Sequence, residues 1–353
     1  MIYLLFMILL ILLVVGFFAY QQIQIKSEYI SDIQKNDINI ETQNIIKNWL
    51  KDINIIRPEF QKIKNSIAKD IFGMDDVINA MIIWLITKNH IIISGYPWLA
   101  KTSIVKKFSK IIGLGFGRIQ WTVDIQPTDI IGSNIYNPVT NTLQVKLWPI
   151  NANIVLVDEI NRMTPKSQSA LLQAMAENSI TIDDKIFDLP KPFMVLATMN
   201  PHDDYGTFPV SMANLDRFAM SIYIDYPDQE TEKKIMNHIL SNEDRSDNLT
   251  DINIDDIYLQ ISNIQITDKS QNLILNIITN NRNSGQSKNT LWPRISIYIS
   301  TIAKAIARLE WMDMVLDKHI YMCLSCVLLQ KISTKYDKNN INMIFDLLST
   351  KKS

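Results

Sequence analysis

The segment IIISGYPWLAKTS (residues 91–103) is followed along the chain by IVLVDEINR (154–162), VLATMNP (195–201) and NLDRF (214–218). The first three segments contain short apolar runs, which are typical of strands buried on both faces of a parallel sheet. Helical stretches separate these runs, and strands that alternate with helices predict a parallel sheet covered by helices. Open α/β sheets bind ligands at the carboxyl ends of their strands. The four segments therefore predict an α/β domain with a site at that edge.

The loop after the first strand is similar to a phosphate-binding loop. In the pattern GxxxxGK[ST], backbone N–H groups wrap a phosphate at a helix N-terminus, and this chain matches it at Gly95, Lys101 and Thr102. The lysine would reach the β- and γ-phosphates of ATP, and the threonine hydroxyl would ligate Mg²⁺. A GxxxxAKT match taken alone also occurs by chance. The candidate nucleotide-binding residues are Gly95, Tyr96, Pro97, Trp98, Leu99, Ala100, Lys101, Thr102 and Ser103.

The second strand ends on two carboxylates, Asp158 and Glu159. An apolar strand of a parallel sheet carries such a pair to the edge where the phosphate loop lies. Asp158 is expected to hold the Mg²⁺ shell, and Glu159 is expected to orient and polarise the attacking water. The alternative is an ordinary loop Asp–Glu pair after a core strand. The phosphate-loop-like segment upstream favours the catalytic interpretation, with ATP and Mg²⁺ as the implied cofactors.

Three further polar residues are candidate catalytic groups. Asn200 follows the third strand, where a neutral amide can position water; the alternative is a turn asparagine before a proline. Arg217 is a candidate arginine finger for the γ-phosphate of a neighbouring subunit, and the alternative is a surface ion pair with Asp216. Arg294 opens a helix in the second half of the chain. It is expected to reach the nucleotide of its own subunit, and the alternative is a solvated helix start.

Taken together, these residues resemble the MoxR branch of the AAA+ ATPases from about residue 60 to residue 333. The similar segments include IQWTVDIQPTDIIGSNIY (119–136), WPINANIVLVDEINRMTPKSQSALLQAMAENSITI (148–182), LPKPFMVLATMNP (189–201) and YGTFPVSMANLDRF (205–218). The resemblance implies a P-loop AAA+ sheet domain followed by a smaller all-α lid domain. It also implies a homo-oligomeric ring, a hexamer, with nucleotide at the subunit interfaces. ATP turnover would remodel or mature partner proteins in a chaperone-like way, among them proteins with a von Willebrand factor A domain.

The same resemblance implies two further placements. The adenine would lie near Ile71, Phe72 and Gly73, and an insert that points into the ring would begin near residues 129–132.

This chain departs from the family pattern at Trp98, Trp148, Met212 and Trp292. Relatives usually carry glycine in place of Trp98, and glycine lets the loop take a positive φ close to the phosphates. A tryptophan there would be strained or would reshape the loop. Two functions therefore stay open. The first is an ATPase, with full or reduced activity, and the second is an ATP-binding scaffold with little or no turnover.

Residues 2–20 are almost wholly apolar and carry no charge. As a helix they would span about 28 Å, close to the roughly 30 Å hydrocarbon core of a bilayer. A signal peptide would have positive charge before the apolar run and a small-residue cleavage site, whereas a buried core helix would be amphipathic. A single transmembrane anchor fits best. The lysines that follow it place the rest of the chain in the cytoplasm. They are Lys26, Lys35 and Lys47.

Composition divides the chain into four predicted parts. A transmembrane anchor occupies residues 1–20, and a polar stalk or linker rich in Asn and Asp occupies residues 21–57. The AAA+ nucleotide-binding domain occupies residues 58–227. Residues 228–353 show helical apolar spacing and form the predicted lid domain.

The bulk composition argues against several other classes of site. Lys+Arg number 35 against 36 Asp+Glu, which gives no basic surface for nucleic acid. The four histidines form no spacing cluster, so a histidine-based metal site is not expected. Cys323 and Cys326 lie in the apolar run YMCLSCVLLQ and are interpreted as buried helix residues. Redox chemistry or zinc binding is the alternative for this pair.

Overall fold

The computed structural model describes residues 53, 55, 57–69, 71–95, 101–120, 125–146, 149–200, 206–224, 226–241, 254–284, 291–332 and 344. Among those residues, none of the helices combines the length and the apolar character that crossing a bilayer requires. The predicted anchor lies outside the described residues and stays a prediction, as do the predicted domain boundaries.

The described elements alternate between strands and helices through the first two thirds of the fold. The helices are α1 (Pro58–Ala68), α2 (Asp75–Thr87), α3 (Lys101–Ile111), α4 (Pro127–Ile131), α5 (Pro165–Glu177), α6 (Met212–Leu215), α7 (Gln229–Ser241), α8 (Ile254–Ser262), α9 (Asp268–Ser284), α10 (Arg294–Leu309) and α11 (Asp317–Ile332). The strands are β1 (Ile91–Gly95), β2 (Phe116–Ile119), β3 (Ser133–Asn137), β4 (Thr142–Lys146), β5 (Ile154–Val157), β6 (Ser179–Ile182), β7 (Lys185–Asp188), β8 (Met194–Met199) and β9 (Met220–Ile224). A 3-10 turn, Ile160–Arg162, follows β5.

The main sheet has five strands in the order β2-β5-β8-β1-β9, and every neighbouring pair is parallel. Strand β1 pairs with β8 on one side and with β9 on the other, so Ile91 lies between Leu196 and Met220. This arrangement confirms the predicted parallel sheet. Because all strands run the same way, the residues that follow β1, β5 and β8 meet at one edge.

Each face of the sheet is covered by its own core. Ile91 and Ile93 of β1 face a core that includes α1, α2, α3 and the C-terminal helices, whereas Ile92 faces a core built with α5 and β6. This alternation follows the two-residue period of a strand. Helix α2 is buried from Val77 to Thr87. A helix that is apolar all round is expected to be enclosed on every side, and α2 lies between the sheet and the C-terminal helices.

Two short antiparallel hairpins stand outside the main sheet, β3–β4 and β6–β7. The first follows the capping box of α4, in which Gln126 and Asp129 bond each other's backbone N–H groups. Its tip is open to solvent, and Val139 is 92% exposed. This hairpin lies directly after residues 129–132, the place where the sequence resemblance implied an insert.

The C-terminal region of the described chain is helical, as the apolar spacing predicted. Helices α10 and α11 pack together through apolar residues such as Ile299, Ile302 and Val327, all of which are fully buried. Cys323 and Cys326 are free and buried in α11, and burial raises the pKa of both thiols. The interpretation of these cysteines as buried helix residues is therefore confirmed.

Gly95 ends β1 at a point where the backbone of β9 leaves no room for a side chain. A Cβ atom added there would lie 2.5 Å from the carbonyl oxygen of Ile224. We expect Gly95→Ala to lower the free energy of unfolding by roughly 1–3 kcal/mol, the usual cost of overpacking. Gly115→Ala is the matched control, because its Cβ would come no closer than 3.3 Å to any atom, the side-chain oxygen of Asn153. Chemical denaturation of the full-length proteins measures both, and equal stabilities would contradict the close approach at Gly95.

Candidate functional site

Lys101 begins α3 directly beyond the carboxyl end of β1. Its Nζ donates a hydrogen bond of 2.9 Å to the carbonyl oxygen of Gly95, the last residue of the strand. Thr102 follows Lys101 in the first turn of α3 and is half-buried. The intervening residues 96–100 lie outside the described residues, so the conformation predicted for Trp98 stays a prediction, as do the roles of its four neighbours. The two ends of the predicted phosphate loop are thus both at the edge of the sheet.

The electrostatics of Lys101 tie it to the carboxylates after β5. Burial lowers the pKa of the Lys101 ammonium, while Glu159 and Asp158 act in the opposite direction. The structure therefore brings these three predicted site residues together. A partly desolvated ammonium that feels the charge of two carboxylates is suited to bind a phosphate, since a charge held away from water gains most from a charged partner.

Asp158 is held by a residue that the sequence did not single out. Arg118 on β2 places its Nε 2.7 Å and one terminal nitrogen 2.6 Å from Asp158 Oδ2. The Asp158 N–H donates to the carbonyl of Ile119 at 2.9 Å. Strand β2 pairs directly with β5, so the Arg118 side chain reaches the Asp158 carboxylate from the neighbouring strand. Its contact neutralises Oδ2 of the carboxylate, and a metal ion at Asp158 would use the other oxygen, Oδ1.

Glu159 takes a left-handed backbone conformation, with φ 55° and ψ 58°. For a residue other than glycine this conformation costs roughly 1–2 kcal/mol, and such strain concentrates at functional sites. Its N–H donates a 2.9 Å hydrogen bond to Oγ1 of Thr198, a buried residue of β8. Its carboxylate lies 3.0 Å from Nε of Arg162. The turn is therefore fixed from the neighbouring strand, and the carboxylate is held by a cation of the same 3-10 turn.

Asn200 follows β8 at the same edge of the sheet. Its carbonyl oxygen accepts a 3.2 Å hydrogen bond from Nδ2 of Asn161, which belongs to the turn after Glu159. Strands β5 and β8 are parallel neighbours, with Val157 opposite Ala197. The segments that follow the two strands are thus tied together, which brings Asn200 to the side of the Asp158–Glu159 pair.

Phe72 and Gly73 lie between α1 and α2 and contact α7. The Phe72 ring meets the His238 ring edge-on, with 5.3 Å between centroids. Gly73 has φ 69°, and a Cβ atom there would lie 2.4 Å from Cγ2 of Thr231. Glycine is required at this position by both the backbone angle and the close approach of α7. The segment is therefore fixed between the sheet region and the first helix after β9.

Arg217 lies at the opposite edge of the sheet from Lys101. It precedes β9 by three residues, and the backbone N–H of Ala219 donates a 2.8 Å hydrogen bond to the carbonyl of His90, the residue before β1. The five residues of β1 separate the two edges by roughly 15 Å at about 3.3 Å per residue. A guanidinium nitrogen of Arg217 donates to the carbonyl of Leu172 in α5. Arg217 is thus well separated from Lys101 of its own chain.

Arg294 differs from the prediction that it reaches the nucleotide of its own subunit. One of its terminal nitrogens lies 3.6 Å from Oδ2 of Asp216, the residue before Arg217. Tyr298, one turn further along α10, donates a 3.4 Å hydrogen bond to the carbonyl of Arg217. The physical reason is packing, because the start of α10 lies against the segment that leads into β9. Arg294 and Arg217 therefore form one group, across the sheet from Lys101.

The donor atoms at the carboxyl edge fit Mg²⁺. Among the described residues, no three His, Cys, Asp or Glu side chains gather into a metal cluster. Mg²⁺ commonly keeps several waters and uses only one or two carboxylates together with substrate phosphates. The Asp158 carboxylate and the Thr102 hydroxyl are oxygen donors of this kind, whereas the described chain offers no clustered ligand set for zinc.

Comparison with known proteins agrees with this geometry. The family model described as "ATPase family associated with various cellular activities (AAA)" matches residues 90–220. The uncharacterized protein YeaC of Bacillus subtilis is 35% identical over 272 residues, which cover 75% of this chain and 84% of YeaC. Chaperone MoxR1 of Mycobacterium tuberculosis is 41% identical over 170 residues, or 48% of this chain and 45% of MoxR1. The chain belongs to the MoxR family of AAA+ ATPases.

Membership of this family extends to the three-dimensional fold. The solved structure of a candidate ATPase from Cytophaga hutchinsonii superposes on this chain with a TM-score of 0.75 at 28% sequence identity. The superposition covers 92% of this chain and 98% of the Cytophaga protein. The matched residues 90–220 include the phosphate loop, the carboxylates after β5 and Arg217. The match to MoxR1 covers less than half of that chaperone, whereas the match to YeaC covers most of its length.

Proposed function

We propose that this MoxR-family protein hydrolyses ATP and couples turnover to the remodelling or maturation of partner proteins. The observation that supports this most directly is Lys101, whose partly buried ammonium lies at the carboxyl edge of a parallel sheet and is attracted by Asp158 and Glu159. A cation and two carboxylates in this arrangement match what phosphoryl transfer needs, which is positioning and charge stabilisation. Nucleotide binding at this edge also agrees with the family's description as ATPases.

Each residue at the carboxyl edge has a distinct proposed role. Lys101 binds the β- and γ-phosphates, and Thr102 and Asp158 hold Mg²⁺, which neutralises phosphate charge when bound. Glu159 orients the attacking water and takes up its proton, and Asn200 positions the same water with its amide. The backbone of residues 95–103 wraps the phosphates, and residues 71–73 border the adenine. The left-handed turn at Glu159, fixed by Thr198, holds its carboxylate ready for that water.

Arg217 and Arg294 complete the site of the neighbouring subunit. Both lie across the sheet from Lys101, so a single chain does not place them on its own γ-phosphate. An arginine supplied from an adjoining subunit stabilises the charge that develops on the transferred phosphoryl group. We propose a ring of six copies, with nucleotide at each interface between the carboxyl edge of one subunit and the arginine pair of the next.

The partners that we propose are proteins with a von Willebrand factor A domain, held close to a membrane by the anchor at residues 2–20. MoxR1, a relative of this chain, is named a chaperone. The β3–β4 hairpin carries exposed apolar side chains that suit contact with a client. They are Ile135, Tyr136, Val139 and Leu143, each between 42% and 92% exposed. The proposed location is a single-pass membrane protein with its ATPase domain in the cytoplasm.

Loss of Lys101 tests the proposed nucleotide site. We expect Lys101→Ala to weaken ATP binding by about 30-fold or more, because removing one partner of a desolvated charge pair costs roughly 2–5 kcal/mol. Isothermal titration of the full-length protein with Mg²⁺–ATP measures this. Lys106→Ala is the matched control, since Lys106 is an exposed residue of the same helix. ATP binding by Lys101→Ala at the level of the control would refute the assignment of the site.

A further inference from the structure

Four charged side chains gather between α6, β9 and the last two described helices. They are Asp216, Arg217, Arg294 and Lys331, and the ring of Tyr298 lies among them. Two of the four are the arginines already proposed to act on a neighbouring subunit. Lys331 is not part of that proposal, and it lies on α11 rather than on α10 or on the segment before β9.

Lys331 is buried to an extent that is rare for lysine. The residue is 5% exposed, and its Nζ lies 4.6 Å from the centroid of the Tyr298 ring. Within the described part of the chain, Nζ has no hydrogen-bond partner. Burial lowers the pKa of Lys331 to about 8, although the nearby Asp216 carboxylate acts in the opposite direction. The ammonium is still mostly charged at neutral pH. A buried charge of this kind is costly unless a group of opposite charge lies nearby.

Asp216 is the group of opposite charge that attracts the Lys331 ammonium. The Asp216 residue is 8% exposed, its Oδ2 contacts Arg294 at 3.6 Å, and its Oδ1 has no hydrogen-bond partner among the described residues. Burying a carboxylate is costly unless a cation lies nearby. With Lys331 in place, the Asp216 carboxylate attracts two cations, Lys331 and Arg294, and it can hold the Arg294 guanidinium in one orientation.

Lys331 is also linked to Arg217 through Tyr298. The ammonium rests on the face of the tyrosine ring, a favourable cation–π arrangement. The hydroxyl of the same tyrosine donates to the carbonyl of Arg217. Arg217 is therefore connected to Lys331 through Tyr298, and Arg294 and Lys331 are both attracted by the charge of Asp216.

From these contacts we infer that Lys331 is a positioning residue for the arginine pair: its ammonium, seated on Tyr298 and drawn to Asp216, sets the direction in which Arg217 and Arg294 are presented to the nucleotide of the adjoining subunit. The inference rests on the proposed function, because it assumes that the pair acts between subunits. The lysine itself does not touch ATP.

The variant Lys331→Met tests this role. Methionine is similar in length and neutral, so the fold keeps its packing and loses a desolvated charge. We expect ATP binding within twofold of the wild type, an unchanged or higher melting temperature, and a kcat lower by about 10-fold, the usual scale for losing a residue that orients a catalytic group. A purely structural lysine would lower the melting temperature instead. Lys269→Met, at a fully exposed lysine paired with Asp317, is the control.

Mixed oligomers separate this inference from the function on which it rests. Subunits with Lys101→Ala lack their own ATP site but keep an intact arginine pair, so they should restore hydrolysis to Lys331→Met subunits above the sum of the two separate rates. The same mixture with Arg217→Ala subunits tests whether the pair acts between subunits at all. Recovery in both mixtures is expected. The role of Lys331 is overturned, and the proposed function stands, if hydrolysis recovers only in the mixture that contains Arg217→Ala subunits. A wild-type kcat in Lys331→Met has the same meaning. Recovery in neither overturns both.

Discussion

Replacing Arg217 with alanine is expected to lower ATP hydrolysis by about 1,000-fold, the lower end of the range for losing an arginine finger. ATP binding should be retained, because Arg217 lies across the sheet from Lys101 and does not contact the nucleotide of its own chain. An adjoining subunit would therefore meet the Arg217 guanidinium at the edge of the sheet where β9 begins. Steady-state phosphate release from the full-length protein, together with calorimetric ATP binding, measures the two effects separately.

The control for Arg217 is Arg282→Ala. Arg282 is an exposed arginine in α9 that bonds the carbonyl of Leu291 and has no proposed part in catalysis. Hydrolysis by this variant should stay within about twofold of the wild type, the scale of surface substitutions away from special features. The assignment of Arg217 would be wrong if its alanine variant also hydrolysed ATP at that rate, or if it lost ATP binding together with turnover.

Glu159→Gln should bind ATP normally and hydrolyse it about 1,000-fold more slowly. A positioned general base contributes roughly 10²- to 10⁴-fold, and glutamine keeps the shape of the side chain without its basicity. The backbone of the turn should persist, since the hydrogen bond to Thr198 comes from the N–H of residue 159 and not from its side chain. Single-turnover hydrolysis and nucleotide titration of the same preparation report the chemical step and binding.

The matched control for Glu159 is Glu177→Gln at the end of α5. Glu177 is exposed and bonds only the Gln173 side chain among the described contacts. Its substitution should leave the turnover of ATP unchanged. Normal hydrolysis in Glu159→Gln would show that another group handles the water, and the role proposed for Glu159 would have to be abandoned.

The sheet and the carboxyl edge could be predicted because each depends on local sequence. Short apolar runs such as Ile154–Val157 are typical of strands enclosed on both faces, and the structure places β5 at these residues. The polar residues Asp158, Glu159 and Asn200 stand directly after their strands, so parallel pairing brings them together without any detail of packing. The order of the motifs along the chain was therefore sufficient to locate this half of the site.

The site residues that the sequence did not indicate make contacts between separate elements of the fold. Arg118 meets Asp158 because β2 is the neighbour of β5, and Thr198 meets the N–H of Glu159 because β8 is the next strand. Strand order cannot be read from any one segment. Arg294 shows the same limit, since a helix start is predictable but the surface against which it packs is not. Lys331 ends an apolar helix, and nothing in its local sequence indicates the charges around it.

The separation of Lys101 from Arg217 by the length of β1 restricts how copies of this chain can work together. A two-fold symmetric dimer can meet this requirement only if the arginine edge of each copy lies against the carboxyl edge of the other, so that each copy gives one arginine and receives one. A heterologous contact, repeated in one direction, does the same for every copy of a larger assembly, and such a contact closes into a circle or continues as a filament. Hydrolysis per subunit should therefore fall on dilution even when every pocket is saturated with ATP.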